Sequence, residues 1–183
     1  QAYLSAGIDS NKVMGMAGIL DNARYSAFLA DALNCSPKDI SALLLGGHGD
    51  TMVPLPRYTT VSGIPLTELL DMETIEKIVA RTKKGGGEIV KLLGTSAWYA
   101  PGVAAAQMVE AILLDQDRIF PCCARLTGQY GIDDLYLGVP VKLGKGGIKE
   151  IIEIDLTEAE TAMMHESAAA VRGVVGVLQG MGV

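Results

Sequence analysis

Several things are scarce in this chain. Histidine occurs only at His48 and His165, well separated in sequence. A metal centre needs more ligands, at closer spacing, than two distant histidines supply, so no metal site is expected. Cysteine occurs as Cys35 and the adjacent pair Cys122 and Cys123. An odd number with two neighbours makes a poor disulfide framework and suits a reducing cytoplasm. No uninterrupted apolar run reaches the roughly 18 residues of a membrane span, and no signal peptide is legible. Positive charge is also short: 15 Lys and Arg against 21 Asp and Glu leave a net charge of −6. That balance argues against a nucleic-acid partner.

A dinucleotide-binding fingerprint is absent too. Gly85-Gly86-Gly87 fails the Gly-x-Gly-x-x-Gly pattern at Val90, and Gly144-Lys145-Gly146 fails it at Lys149. No segment supplies strand, glycine turn, helix and ribose-binding acid in order. What the chain does have is a core: 49% hydrophobic and 20% charged residues exclude disorder. Residues 1–183 suit one domain with a sizeable buried interior.

The most informative stretch is Leu45-Gly46-Gly47-His48-Gly49-Asp50. An apolar run from Ile40 to Leu45 reads as a strand, and its glycines leave no bulk around the His48 ring. Imidazole titrates near neutrality, at about 6.5, so it can give and take a proton at cellular pH. Upstream, Leu20-Asp21-Asn22-Ala23-Arg24 opens an amphipathic helix. Asp21 and Arg24, three apart, share one face. A carboxylate can hold a histidine Nδ1–H and leave Nε2 to work, and a guanidinium can clamp a substrate carboxylate. The plainer alternatives are a structural histidine beside glycines and a helix ion pair that binds nothing.

In order along the chain, these segments resemble the lactate/malate dehydrogenase family, specifically malate dehydrogenases of the lactate-dehydrogenase-like type. The resemblance continues through Ser96-Ala97-Trp98-Tyr99-Ala100-Pro101, Gly128-Gln129-Tyr130-Gly131 and Gly138-Val139-Pro140-Val141. It implies that His48 is the acid/base, that Asp21 orients it, and that Arg24 binds the substrate carboxylate. Ser96 falls where the family often has a serine or threonine facing substrate and nicotinamide. NAD is the implied cofactor, with malate and oxaloacetate as substrates. Lactate remains the alternative substrate, because the residue that reads a second carboxylate belongs to a loop before this region. Relatives form dimers or tetramers, so a homo-oligomer is expected. A non-catalytic association domain stands as the reading of another class. A relative of NAD-dependent glycosidases is disfavoured for want of metal ligands. The chain opens on Gln1, inside what the resemblance makes a helix. It therefore reads as the carboxyl-terminal half of a dehydrogenase, with an amino-terminal NAD-binding domain of about 100–200 residues outside it.

The expected fold is α+β, a twisted antiparallel sheet packed by long helices. Helices are expected over 1–8 as a remnant, 20–34, 72–93 and 101–116, and from Thr157, whose Thr-x-x-Glu pattern predicts a capping box. Lys83 to Gly87 should kink or break the 72–93 helix at the surface. Strands are expected over 40–46, 118–127, 134–143 and 148–154, with a hairpin turn at 144–147. Val171, Val174, Val175 and Leu178 form a stripe read as core packing. Trp98 and Tyr99 read as an active-site wall or as core anchors.

Overall fold

The computed structural model describes Tyr3, residues 7–96 and residues 98–181. Most of the helix expected over 1–8 lies outside them. The chain first forms α1 (Ala17–Leu33), ended by Asn34 in the left-handed conformation, then β1 (Ile40–Ser41), β2 (Leu44–Gly46) and β3 (Met52–Pro54). After β4 (Thr60–Val61), β5 (Ile64–Pro65) and the short α2 (Leu66–Leu69) come α3 (Met72–Leu93) and α4 (Tyr99–Leu113). The last part is β6 (Arg118–Thr127), β7 (Asp133–Gly144), β8 (Gly147–Ile151) and α5 (Glu158–Gly180).

Two antiparallel sheets result. The larger runs β3-β2-β7-β6, with β8 also on β7; the smaller runs β1-β4-β5. The expected meander is there, and Gly144 pairs with Gly147 across the expected hairpin. Along β7, Leu135, Leu137, Val139, Val141 and Leu143 recur every second residue and are all buried, as a two-residue period on one sheet face requires. Met108 and Ala111 of α4 and Met164 and Ala168 of α5 close the same core. Each fully buried leucine or valine there contributes about 1.5–3 kcal/mol. A second cluster joins Tyr25 and Leu29 of α1 to Leu44, Val61 and Ile75, beneath the small sheet. Cys122 and Cys123 are unbridged, and burial pushes their thiols up to about 12 and about 11.

Four expectations need correction. The strand over 40–46 is two strands in two sheets, because the chain swerves at Ala42 and Leu43. There Asn22 Nδ2 donates to the Ala42 carbonyl at 2.8 Å in place of a strand, while Leu55 N–H donates to Leu43 at 3.1 Å in register with the β2–β3 pairing. The helix over 72–93 is not broken at Lys83–Gly87: α3 runs through it, capped by Asp71 and ended by Gly94. Nor is Gly85 at the surface; it is buried against α1. Of the carboxyl-terminal stripe, Val171 packs against the large core, but Val174 and Val175 are exposed, so the stripe is core packing only at its start. Trp98 and Tyr99, at 66% and 87% exposed, anchor no core. The capping box at Thr157 and Glu160 forms as expected.

Candidate active site

α1 carries two of the candidate residues, and β2 delivers the third. Asp21 lies one helical turn into α1 and is 2% exposed. Its Oδ1 accepts from Arg24 Nη1 at 3.0 Å, and its Oδ2 lies 2.8 Å from His48 Nδ1. One buried carboxylate thus tethers both groups. Since an ionised carboxylate only accepts, Nδ1 carries a proton and Nε2 of the neutral ring keeps its lone pair. His48 itself is 51% exposed on the side chain, so this free edge meets solvent. The Asp21 bond raises the imidazole above its ordinary 6.5, against partial burial and the nearby Arg24 charge, which pull it down.

The glycines of the turn have a specific use. Gly46 sits at φ +80°, and a side chain there would press on Ser167 Oγ at 2.8 Å. One at Gly47 would collide with the Thr51 hydroxyl. The chain therefore leaves β2 close against α5, and His48 caps the short helical turn Gly49–Thr51.

Arg24 is 18% exposed. One of its five N–H donors is engaged by Asp21, and among the described residues no other hydrogen-bond partner meets it. Its stem lies along α3. A Cβ on Gly85 would come 3.2 Å from Arg24 Cδ, and one on Gly86 3.6 Å from Nη2. The glycine run read as a helix break is thus the floor beneath the arginine. Its proximity to Arg24 had no signal in the sequence, because it depends on how α3 crosses α1.

Ser96 is not brought into this cluster. It lies exposed in the connection between α3 and α4. Among the described residues its side chain makes no hydrogen bond to Asp21, Arg24 or His48. Around it the same corner exposes Leu92, Leu93, Trp98, Tyr99 and Val103. His165 is exposed on α5, with its ring near Gly131. Among the described residues no group of three or more His, Cys, Asp or Glu is placed to hold a metal ion. No described helix is long and apolar enough to cross a membrane.

A second polar cluster escaped the sequence reading. Arg57, just after β3, grips Glu160 of α5 with Nε at 2.9 Å and Nη2 at 2.8 Å. It also donates to the Asp155 carbonyl, to which the Tyr58 hydroxyl donates at 2.8 Å. Arg57 holds the Glu160 carboxyl below the usual range. The capping-box pattern marked Glu160, but nothing local named its partner 103 residues away.

The lactate/malate dehydrogenase alpha/beta C-terminal domain is the family whose sequence pattern matches, over residues 19–175. A malate dehydrogenase of Cytophaga hutchinsonii is 61% identical over 180 residues, which are 98% of this chain and 58% of that protein. The structure of malate dehydrogenase from Salinibacter ruber is similar with a TM-score of 0.96 at 58% identity, covering 98% of this chain and 59% of that one. A lactate dehydrogenase from Eimeria maxima, solved with NADH and oxamate, is similar with a TM-score of 0.93 at 40% identity, covering 98% and 58%. This chain therefore spans somewhat more than half the length of the proteins it resembles.

Proposed function

The chain belongs to the lactate/malate dehydrogenase family, matching its C-terminal domain, and from that premise we propose that it is the catalytic half of an NAD-dependent malate dehydrogenase. The observation that carries this reading is the Asp21 carboxylate holding Arg24 and His48 together, at 3.0 and 2.8 Å. Identity of 61% to a malate dehydrogenase favours malate over lactate as the substrate.

In the oxidative direction, neutral His48 accepts the hydroxyl proton of malate at Nε2. Asp21 stabilises the imidazolium that forms. Arg24 holds one carboxylate through its remaining donors, which fixes the reacting carbon and lowers the entropic part of the barrier. NAD, when bound, supplies the hydride acceptor. The exposed edge of His48 fits the approach of a flat ring, and the family resemblance would set Ser96 near it. The body of the dinucleotide finds no glycine turn among residues 1–183. It would rest on an amino-terminal NAD-binding domain, with residues 1–183 forming the substrate domain.

The test uses the full-length dehydrogenase with oxaloacetate and NADH. His48→Asn should lower kcat/KM by about 10²–10⁴-fold, the usual share of general acid–base catalysis, while NADH binding survives. Near-normal turnover in the variant would overturn the assignment. The 183-residue chain alone should show little or no turnover.

The apolar face of α4, exposed at Tyr99, Val103 and Leu113, favours association as well, so the protein is proposed to work as a dimer or tetramer, and its unbridged cysteines suit the cytoplasm. Light scattering on this chain should give a multiple of 19.2 kDa. If association were its whole role, the full-length protein would assemble yet leave oxaloacetate untouched.

A further inference from the structure

The hydrogen bonds around His48 draw in a residue from the far end of the chain. Gly47 N–H donates to Ser167 Oγ at 2.7 Å, across 120 residues. Ser167 lies in the middle of α5 and is 2% exposed. A buried hydroxyl inside a helix costs free energy unless it is bonded, so this serine is there for its partner. The glycines permit the approach, since a side chain at Gly46 would meet this same oxygen.

Packing does not hold the turn by itself. A cleft of about 320 Å³ opens behind it, lined by Asp50, Thr51, Lys83, Met163 and Ser167. Gly46 is fixed in the sheet by Met52 and Gly138, and Met52 N–H closes on the Gly49 carbonyl. Between those anchors the hydrogen bonds from residues 47 and 48 to another element, among the described residues, are two: Gly47 to Ser167 and the His48 ring to Asp21. α5 is itself seated by the Arg57–Glu160 pair and the capping box. The first bond sets where the His48 backbone stands, and the second sets where the ring points.

We propose that Ser167 is a positioning residue for the active site: through the Gly47 amide it holds the backbone that carries His48 within hydrogen-bond reach of Asp21, with Nε2 turned toward substrate. This rests on the dehydrogenase reading of His48. A displacement near 1 Å can cost on the order of a hundredfold in rate, and loss of one of two tethers should cost less.

The experiment has two arms. In this chain, NMR reads the Gly47 amide and the His48 titration. The wild-type Gly47 amide should exchange slowly; rapid exchange would overturn the proposal without any variant. Ser167→Ala should speed that exchange, and the His48 pKa should fall toward 6.5 as the Asp21 bond loosens. In the full-length enzyme, Ser167→Ala should lower kcat roughly tenfold with KM for oxaloacetate little changed. Ser167→Thr, which keeps the hydroxyl, should restore much of it. An unchanged His48 titration and kcat within twofold of wild type, in a folded Ser167→Ala protein, would make Ser167 merely structural. If wild-type full-length protein showed no turnover, the dehydrogenase reading would fall, while the NMR arm would still decide whether Ser167 holds the turn.

Discussion

α1 and α4 are similar in length, at 17 and 15 residues, and both are largely apolar, yet their side chains meet different fates. α1 finds partners inside the chain on most of its surface. Tyr25 and Leu29 enter the small core, Asp21 and Arg24 build the site, and Phe28 lies under the Arg81 guanidinium at 4.1 Å. α4 commits Met108 and Ala111 to the large core, buries Ala104 as well, and leaves Tyr99, Val103 and Leu113 bare. Apolar residues dominate both helices; the difference lies in what crosses them. α3 crosses α1 closely through Gly85 and Gly86, whereas nothing among the described residues covers the outer face of α4. One helix is covered on most sides within the described residues, and the other leaves an apolar face exposed.

Substitutions at four positions would break or sharpen that contrast. Arg24→Ala should have the largest effect. Charge-assisted hydrogen bonds contribute about 1.5–3 kcal/mol each, so losing two to substrate should cut kcat/KM of the full-length enzyme on the order of 10³-fold, measured with oxaloacetate. Arg24→Lys should restore only part of it, since a single ammonium cannot reproduce the fork.

Asp21→Asn comes next. It removes the anion shared by Arg24 and His48 and should destabilise the chain by about 1–3 kcal/mol in denaturant titration at pH 6. The folded His48 pKa is raised, so the stability it contributes is fully present below about 6.5. That contribution is lost as pH rises through the folded value. The gap between wild type and variant should therefore narrow toward high pH. In the wild-type enzyme, malate oxidation should rise with pH through an apparent pKa above 6.5, and in the variant that midpoint should move down.

Gly85→Ala should be smaller. The alanine gains about 1 kcal/mol of helix propensity but meets Arg24 Cδ at 3.2 Å, so thermal unfolding should change by no more than about 1 kcal/mol. The readout that moves is KM for the substrate acid, which should rise as Arg24 is displaced. On the other helix, Tyr99→Ser should leave monomer stability within about 0.5 kcal/mol, as for exposed sites generally. Its effect should be confined to association, read by light scattering over a dilution series.

The same contrast explains what could be read in advance. His48, Asp21 and Arg24 stood out because turn glycines and a three-residue helical spacing are local signals, and the long meander from Arg118 to Ile151 carried its own two-residue period. The capping box at Thr157 was equally local. Gly85 and Gly86 misled because a glycine run weakens an isolated helix. Here the packing against α1 outweighs that cost. The strand over 40–46 divided for a similar reason, since sheet membership depends on partners at Val61 and Pro54 that no window around Leu43 contains. The Val174 and Val175 stripe has the right helical spacing, but spacing cannot tell an inner face from an outer one. Ser167 and Arg57 were silent because their partners lie more than a hundred residues away.

Those two long bonds bear on the order in which the molecule can be made. Residues of the first third of the chain are held by the last helix, through Gly47 to Ser167 and Arg57 to Glu160. Contacts of such high sequence separation form late, because a long loop must close before they are rewarded. A ribosome emitting this chain would have released His48 and Asp21 long before α5 existed to seat the turn. The turn that carries His48 would thus be seated in one of the last folding events of this chain, and a nascent chain stopped short of α5 would have helices and strands but no seated histidine.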